Sequence, residues 1–172
     1  ELFTAEQMAL YGKGLAAAHE LTFARTPDQL LPRLASNERV LLAAFAQLGS
    51  DADAQRRATP AGEWLLDNYY LIEEEIRTAK RLLPPGYSRE LPPLRNLPSA
   101  GLPRVYDLAL QAVSHGDGRV TPSALSGFIA SYQTVKVLNL GELWAIPIML
   151  RLALIENLRR VSARIAIDQR QR

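Results

Sequence analysis

A few side chains in this sequence have the types and spacing from which chemistry could be built. Asp51-Ala52-Asp53 has the Asp-x-Asp form with which two hard carboxylates hold a divalent cation against a nucleotide diphosphate. That chemistry needs carboxylates at the end of a strand. Here the pair follows a helical pattern, so it reads as a helix-end loop and is rejected as a metal site. Glu63 and Asp67 stand four apart, a spacing that suits paired-carboxylate work or a carboxylate-bridged metal. A di-metal bundle would also need Glu-x-x-His on partner helices. His19 and His115 have no Glu three residues before them. The pair therefore reads as a solvated acidic face, and no metal site is expected. Asp67 and Asn68 are poor helix formers in mid-helix and point to a local polar contact.

The two imidazoles read as turn or surface residues, since neither belongs to an evident Asp–His–Ser arrangement. Gly12-Lys13-Gly14 lacks the longer Gly-x-x-x-x-Gly-Lys-Ser/Thr form of a phosphate loop. The Arg-rich end (Arg159, Arg160, Arg164, Arg170, Arg172) is interleaved with Glu156 and Asp168 and reads as a solvated face.

Composition sets the frame for these groups. The 172 residues are 48% hydrophobic and 22% charged, which suits one globular domain and excludes a disordered tail. Cysteine is absent, so disulfide scaffolds, thiolate metal sites and cysteine nucleophiles are excluded. A formal charge of +2 is too balanced for a dedicated nucleic-acid binder. The longest apolar run, Leu143 to Leu150, is far short of the roughly 20 residues that span a bilayer. The first residue is Glu1 rather than Met, which reads as a soluble fragment or a processed product.

The elements that would position any site are helical. Thr4 and Gln7 form a capping box, and a first helix should run to His19–Leu21 with Met8, Tyr11, Leu15 and Ala18 inward. Pro27 and Pro32 should break the chain, and Ser36 or Asn37 should cap a second helix that ends near Gly49-Ser50-Asp51. Thr59-Pro60 opens a third, whose seam is Leu65, Tyr69, Ile72, Ile76, Ala79 and Leu83, with Glu73 placed to pair with Arg77.

Residues 84–103 hold six of the eleven prolines. Tyr87, Leu91, Leu94 and Leu97 make this stretch an ordered crossing pinned to the helices, not a domain boundary. A fourth helix should run from Arg104 to about Ser114, closed by the turn His115-Gly116-Asp117-Gly118. Thr121-Pro122 opens a fifth, with Leu125, Phe128, Ile129 and Tyr132 inward. A last helix should start at Leu140–Leu143, with Pro147 in its first turns or at a kink. Its second half should turn Leu154, Leu158, Val161 and Ile165 inward, opposite Glu156 and the arginines. The pattern predicts an all-α, single-domain bundle over residues 1–172, with five to seven helices.

Several phrases resemble a known family. Thr59-Pro60-Ala61-Gly62-Glu63-Trp64-Leu65-Leu66-Asp67-Asn68-Tyr69-Tyr70 and its continuation to Glu75 resemble the N-terminal region of bacterial cyclic β-1,2-glucan synthases. So do Gly86-Tyr87-Ser88-Arg89-Glu90-Leu91-Pro92, Pro103-Arg104-Val105-Tyr106 and Gly141-Glu142-Leu143-Trp144-Ala145-Ile146-Pro147-Ile148-Met149-Leu150-Arg151, continued through Ile155 to Arg160. The resemblance runs from about Thr59 to Arg164 and is weaker before it. It implies a helical region on the cytoplasmic side of the bacterial inner membrane. That region would precede a UDP-glucose-dependent glucosyltransferase that primes, elongates and cyclises glucan.

No transferase fold, strand-borne Asp-x-Asp or Arg-Trp acceptor motif is present, so no catalytic residue and no cofactor is carried over. What the resemblance implies is a non-catalytic accessory domain. Its partner would be the glycosyltransferase region of the same polypeptide, with glucan as a further candidate and no nucleic acid. The alternative is a free-standing helical module that binds protein or glucan. Trp64, Arg89, Glu90, Glu142, Trp144 and Arg151 are the candidate substrate-binding residues. Glu63, Arg89, Glu90, Glu142, Arg151 and Glu156 read first as structural ion pairs and caps that tie the crossing to the last helix. Both tryptophans are expected to be largely buried.

Overall fold

Capping hydroxyls, prolines and glycines set the helix boundaries in the computed structural model, which describes residues 3–53, 59–116 and 119–171. Thr4 caps α1 (Ala5–Ala18) through the capping box with Gln7. Gly12 of this helix lies buried against α5 (Pro122–Gln133). A Cβ at Gly12 would stand 2.8 Å from the Phe128 carbonyl oxygen, so glycine here permits close helix packing and has nothing to do with phosphate. Ala16 is buried in place of the expected Ala18, which is exposed.

The second helix, α2 (Leu30–Asp53), begins well before Ser36 and Asn37. The Asp28 side chain accepts from the Leu30 N–H at 3.1 Å, and Pro32 falls in the first turn, where its missing N–H has no intrahelical partner to lose. The side chain of Asp53 lies outside the described residues, as do Asp117 and Gly118 of the expected turn.

Thr59 caps α3 (Pro60–Leu82) with Pro60 in its first turn, and all six seam residues are buried. On its outer face Arg77 pairs with Glu74 rather than Glu73. The Asn68 amide donates to the Trp64 carbonyl at 2.8 Å, the local contact that a poor helix former at that position implied.

The proline-rich stretch carries one 3-10 turn (Tyr87–Glu90) and then folds back on itself. Leu94 N–H donates to the Leu102 carbonyl at 2.9 Å, and Gly101 N–H to the Leu94 carbonyl at 2.8 Å. Isolated bridges, Leu21 with Leu94 and Pro93 with Pro103, pin it to the α1–α2 connection and to its own end. Leu91, Leu94 and Leu102 are buried, whereas Leu97 is pushed outward with its backbone in the left-handed region at φ 66°.

Helices α4 (Arg104–His115) and α6 (Leu140–Arg170) complete the bundle. Helix α6 is the axis, packed by α2, α3 and α4, while α1 and α5 form a second layer. Helix α4 lies between the layers. It turns Val105, Tyr106, Ala109 and Val113 to the larger core and Leu108 and Ala112 to the α1–α5 core. Among the described residues the fold is all-α, with six α-helices and no strand.

Pro147 sits inside α6, which runs through it. The second half of α6 differs from expectation: Glu156 is buried, while Leu154 and Val161 are exposed. A buried Tyr106 hydroxyl and the Arg33 guanidinium meet Glu156 there, so a carboxylate takes the inward position. No helix among the described residues is long and apolar enough to cross a membrane.

Candidate functional site

The doubly buried position of α4 brings its first turn against three other elements. Arg104, Tyr106 and Asp107 all lie there, and each meets a partner distant in sequence. The Arg104 guanidinium grips Glu142 at 2.9 and 2.5 Å, both side chains being out of solvent. Glu142 also accepts from the Asn139 N–H, so it caps α6 while neutralising Arg104. Two carboxylate oxygens in a bidentate grip compensate the desolvation of both ions. Tyr106 donates to Glu156 at 2.5 Å, and Arg33 reaches the same carboxylate at 2.7 Å. Burial and the Glu156 charge push the Tyr106 phenol far above its ordinary range.

The third cluster joins the two layers. The Asp107 carboxylate accepts from His19 Nε2 at 2.7 Å and from Ser99 Oγ at 2.7 Å. His19 Nδ1 lies 2.8 Å from the Tyr132 hydroxyl, and the imidazole is 0% exposed. Burial pushes the Asp107 carboxyl up, but hydrogen bonds from His19 and Ser99 outweigh it and hold the group below the usual carboxylate range. An ionised Asp107 can only accept, so Nε2 carries the proton, and in the neutral ring Nδ1 accepts from the Tyr132 O–H. Burial, only partly offset by Arg104, raises the Tyr132 phenol to about 12.

Asp107 and Ser99 form the floor of a cleft of about 640 Å³ between α1, α4 and the 97–99 segment. Its walls are Phe3, Leu10, Tyr11, Leu15, Ala18, Leu97 and Pro98, with Gln7 and Gln111 as the amides. Tyr11 donates to Gln111 at 2.8 Å. Among the described residues Asp107 is the one formally charged residue in this lining, and no Lys or Arg borders it.

This cluster bounds what the site can do. A general base must reach the proton it removes, and His19 and Tyr132 lie behind Asp107, away from solvent. Ser99 is bonded to the carboxylate rather than to the imidazole, so the order Ser–Asp–His–Tyr does not activate a nucleophile. The arrangement positions Asp107 and joins α1, α4, α5 and the crossing. His19 is thus neither a turn nor a surface residue.

Its partner Asp107 stands 88 residues away, beyond any local spacing. The available signal was Asp107 itself, a carboxylate among Val105, Tyr106, Leu108 and Ala109. His115 stacks on Phe3 with ring centroids 4.2 Å apart.

The six candidate binding residues do not converge. Trp64 and Trp144 are 55% and 74% exposed, contrary to the expectation of burial, because each points away from the seam its apolar neighbours form. Arg89 and Glu90 are exposed on the 3-10 turn, and among the described residues neither forms an ion pair. Glu142 is spent on Arg104. Arg151 bridges to Glu75 of α3 at 2.5 Å, at the surface. Glu63 and Asp67 are exposed.

Fold and site together define an all-α domain with an apolar cleft over a buried carboxylate–imidazole pair. No family model matches the chain. It is 37% identical over 139 residues to the cyclic beta-(1,2)-glucan synthase NdvB of Rhizobium meliloti (strain 1021), a match that takes in 81% of this chain. The likeness bears out the resemblance carried by the phrases between Thr59 and Arg160. The matched part is 5% of that enzyme's length.

Proposed function

We propose that this chain is a non-catalytic helical domain of a cyclic β-1,2-glucan synthase, a UDP-glucose-dependent glucosyltransferase of the bacterial inner membrane. The domain supports the transferase region of the same polypeptide from the cytoplasmic side. The observation that carries this reading is the likeness of four-fifths of the chain to a small part of a named synthase. The site chemistry supports it. A nucleotide diphosphate calls for cations or backbone donors around its phosphates, whereas the cleft lining offers no Lys or Arg. The side chains of the three buried ionic clusters are bonded to one another, and none is arranged to act on a nucleotide sugar.

The test is deletion of the segment from the parent synthase, followed by assay of glucan synthesis in membranes. The expected result is impaired synthesis that the separately supplied chain restores. Full synthesis without the segment would refute the proposal.

A second reading, glucan binding, is favoured by one observation. The Trp144 indole is exposed two helical turns from the Arg151–Glu75 pair, a stacking face beside polar groups. Quenching of tryptophan emission by β-1,2-glucan, lost in Trp144→Ala, would support it. A flat titration would remove it.

A further inference from the structure

We infer that the cleft between α1, α4 and the 97–99 segment docks an apolar segment of the parent synthase that carries no carboxylate or phosphate. This rests on the proposed function, because it takes the rest of that polypeptide as the partner. Three observations argue for such an occupant.

The walls are aliphatic and aromatic, and at about 640 Å³ the space accepts several side chains. Leu10 is 73% exposed and Leu97 is 41% exposed, so the rim holds large apolar side chains in water. The backbone of Leu97 is left-handed at φ 66°, a conformation that a leucine adopts only when its surroundings impose it. Here it sets an apolar side chain at the rim.

Charge decides the partner's chemistry. The floor carboxylate of Asp107 is held ionised by His19 and Ser99, and no cation lines the cleft among the described residues. A segment bearing carboxylates or phosphates would meet uncompensated repulsion there, whereas aliphatic side chains with a hydrogen-bond donor would not. A glucan would leave most of its hydroxyls against apolar walls. Nineteen-twentieths of the similar synthase lies outside the match, so tethered chain is the partner at highest local concentration.

The test uses the parent synthase lacking this segment, with the 172-residue chain supplied separately and glucan synthesis followed against its concentration. Leu10→Asp should raise the half-restoring concentration about tenfold, as expected when a carboxylate replaces an apolar contact at the rim, with the melting temperature unchanged. Leu97→Gly should raise that concentration while also raising the melting temperature, a pairing that a purely structural role does not produce. Restoration by Leu10→Asp and Leu97→Gly at the wild-type concentration would place docking elsewhere and overturn this inference, leaving the proposed function intact. Binding of the chain to protein-free phospholipid vesicles, lost in Leu10→Asp, would assign the cleft to a lipid surface and also overturn it. Self-association abolished by Leu10→Asp would assign it to a second copy, again overturning it. A synthase indifferent to deletion of the segment would instead refute the proposed function, and this inference with it.

Discussion

The two layers of the bundle treat buried charge differently. In the α2–α4–α6 core, Glu156 is met by Tyr106 and by a half-exposed Arg33, a cluster walled in by aliphatic side chains. Where α4 meets the α1–α5 layer, the His19–Asp107 pair is more deeply buried than Arg33 and Glu156, yet its carboxylate floors an open cleft. The first cluster can be explained by packing alone. The second spends the same kind of desolvation on a surface that none of the described residues covers. Function is therefore to be sought on the α1 side, although the familiar phrases lie mostly in α3 and α6.

Glu142→Ala should have the largest effect. It leaves the Arg104 guanidinium buried without its carboxylate and removes the Glu142 half of the α6 capping box, at a cost of about 3–5 kcal/mol in urea denaturation. His19→Ala should follow at about 3 kcal/mol, because Asp107 loses its strongest donor and Tyr132 its acceptor. Arg33→Ala should cost less, about 2 kcal/mol, since its charge is partly solvated. A larger loss for Arg33→Ala than for His19→Ala would break the contrast between the layers.

The pH dependence sharpens it. The folded Asp107 carboxyl is held below its ordinary value, so the stability it contributes is complete above that ordinary value. It should fade as pH falls through the depressed one. Denaturation at a series of acidic pH values should show this loss flattened in His19→Ala. At the alkaline end the sign reverses. Tyr132 is raised from 10.0 to about 12, so the stability it contributes holds below pH 10 and fades between those two values. Absorbance titration of phenolate should show that late component missing in Tyr132→Phe.

The smallest effects belong to the surface. Leu97→Gly relaxes a left-handed leucine and should stabilise the chain by about 1 kcal/mol. Trp144→Ala and Arg89→Ala should change stability by less than about 0.5 kcal/mol.

What the sequence disclosed follows from the range of each signal. The α3 seam was legible because a buried stripe repeats at the helical period, and every seam residue from Leu65 to Leu83 is buried. Caps at Thr4, Thr59 and Thr121 were legible because capping is local. Pro32 hid the start of α2, since a proline in a first turn looks the same in sequence as one that ends a helix. The tryptophans misled because apolar neighbours do not fix a face. Successive residues on a helix point about 100° apart, so Trp64 turns away from buried Leu65. Glu156 misled in the opposite sense: its carboxylate is buried by Tyr106 from another helix. The candidate site was the least legible part, since His19 and Asp107 meet only through tertiary packing.

The central proposal is that this domain serves a glucosyltransferase without handling its donor. Calorimetric titration of UDP-glucose with a divalent cation into the purified chain tests it most directly. The account predicts heats indistinguishable from dilution, because no cation among the described residues faces the cleft floor and the carboxylate there is held ionised by His19 and Ser99. A saturable heat with one-to-one stoichiometry would contradict it.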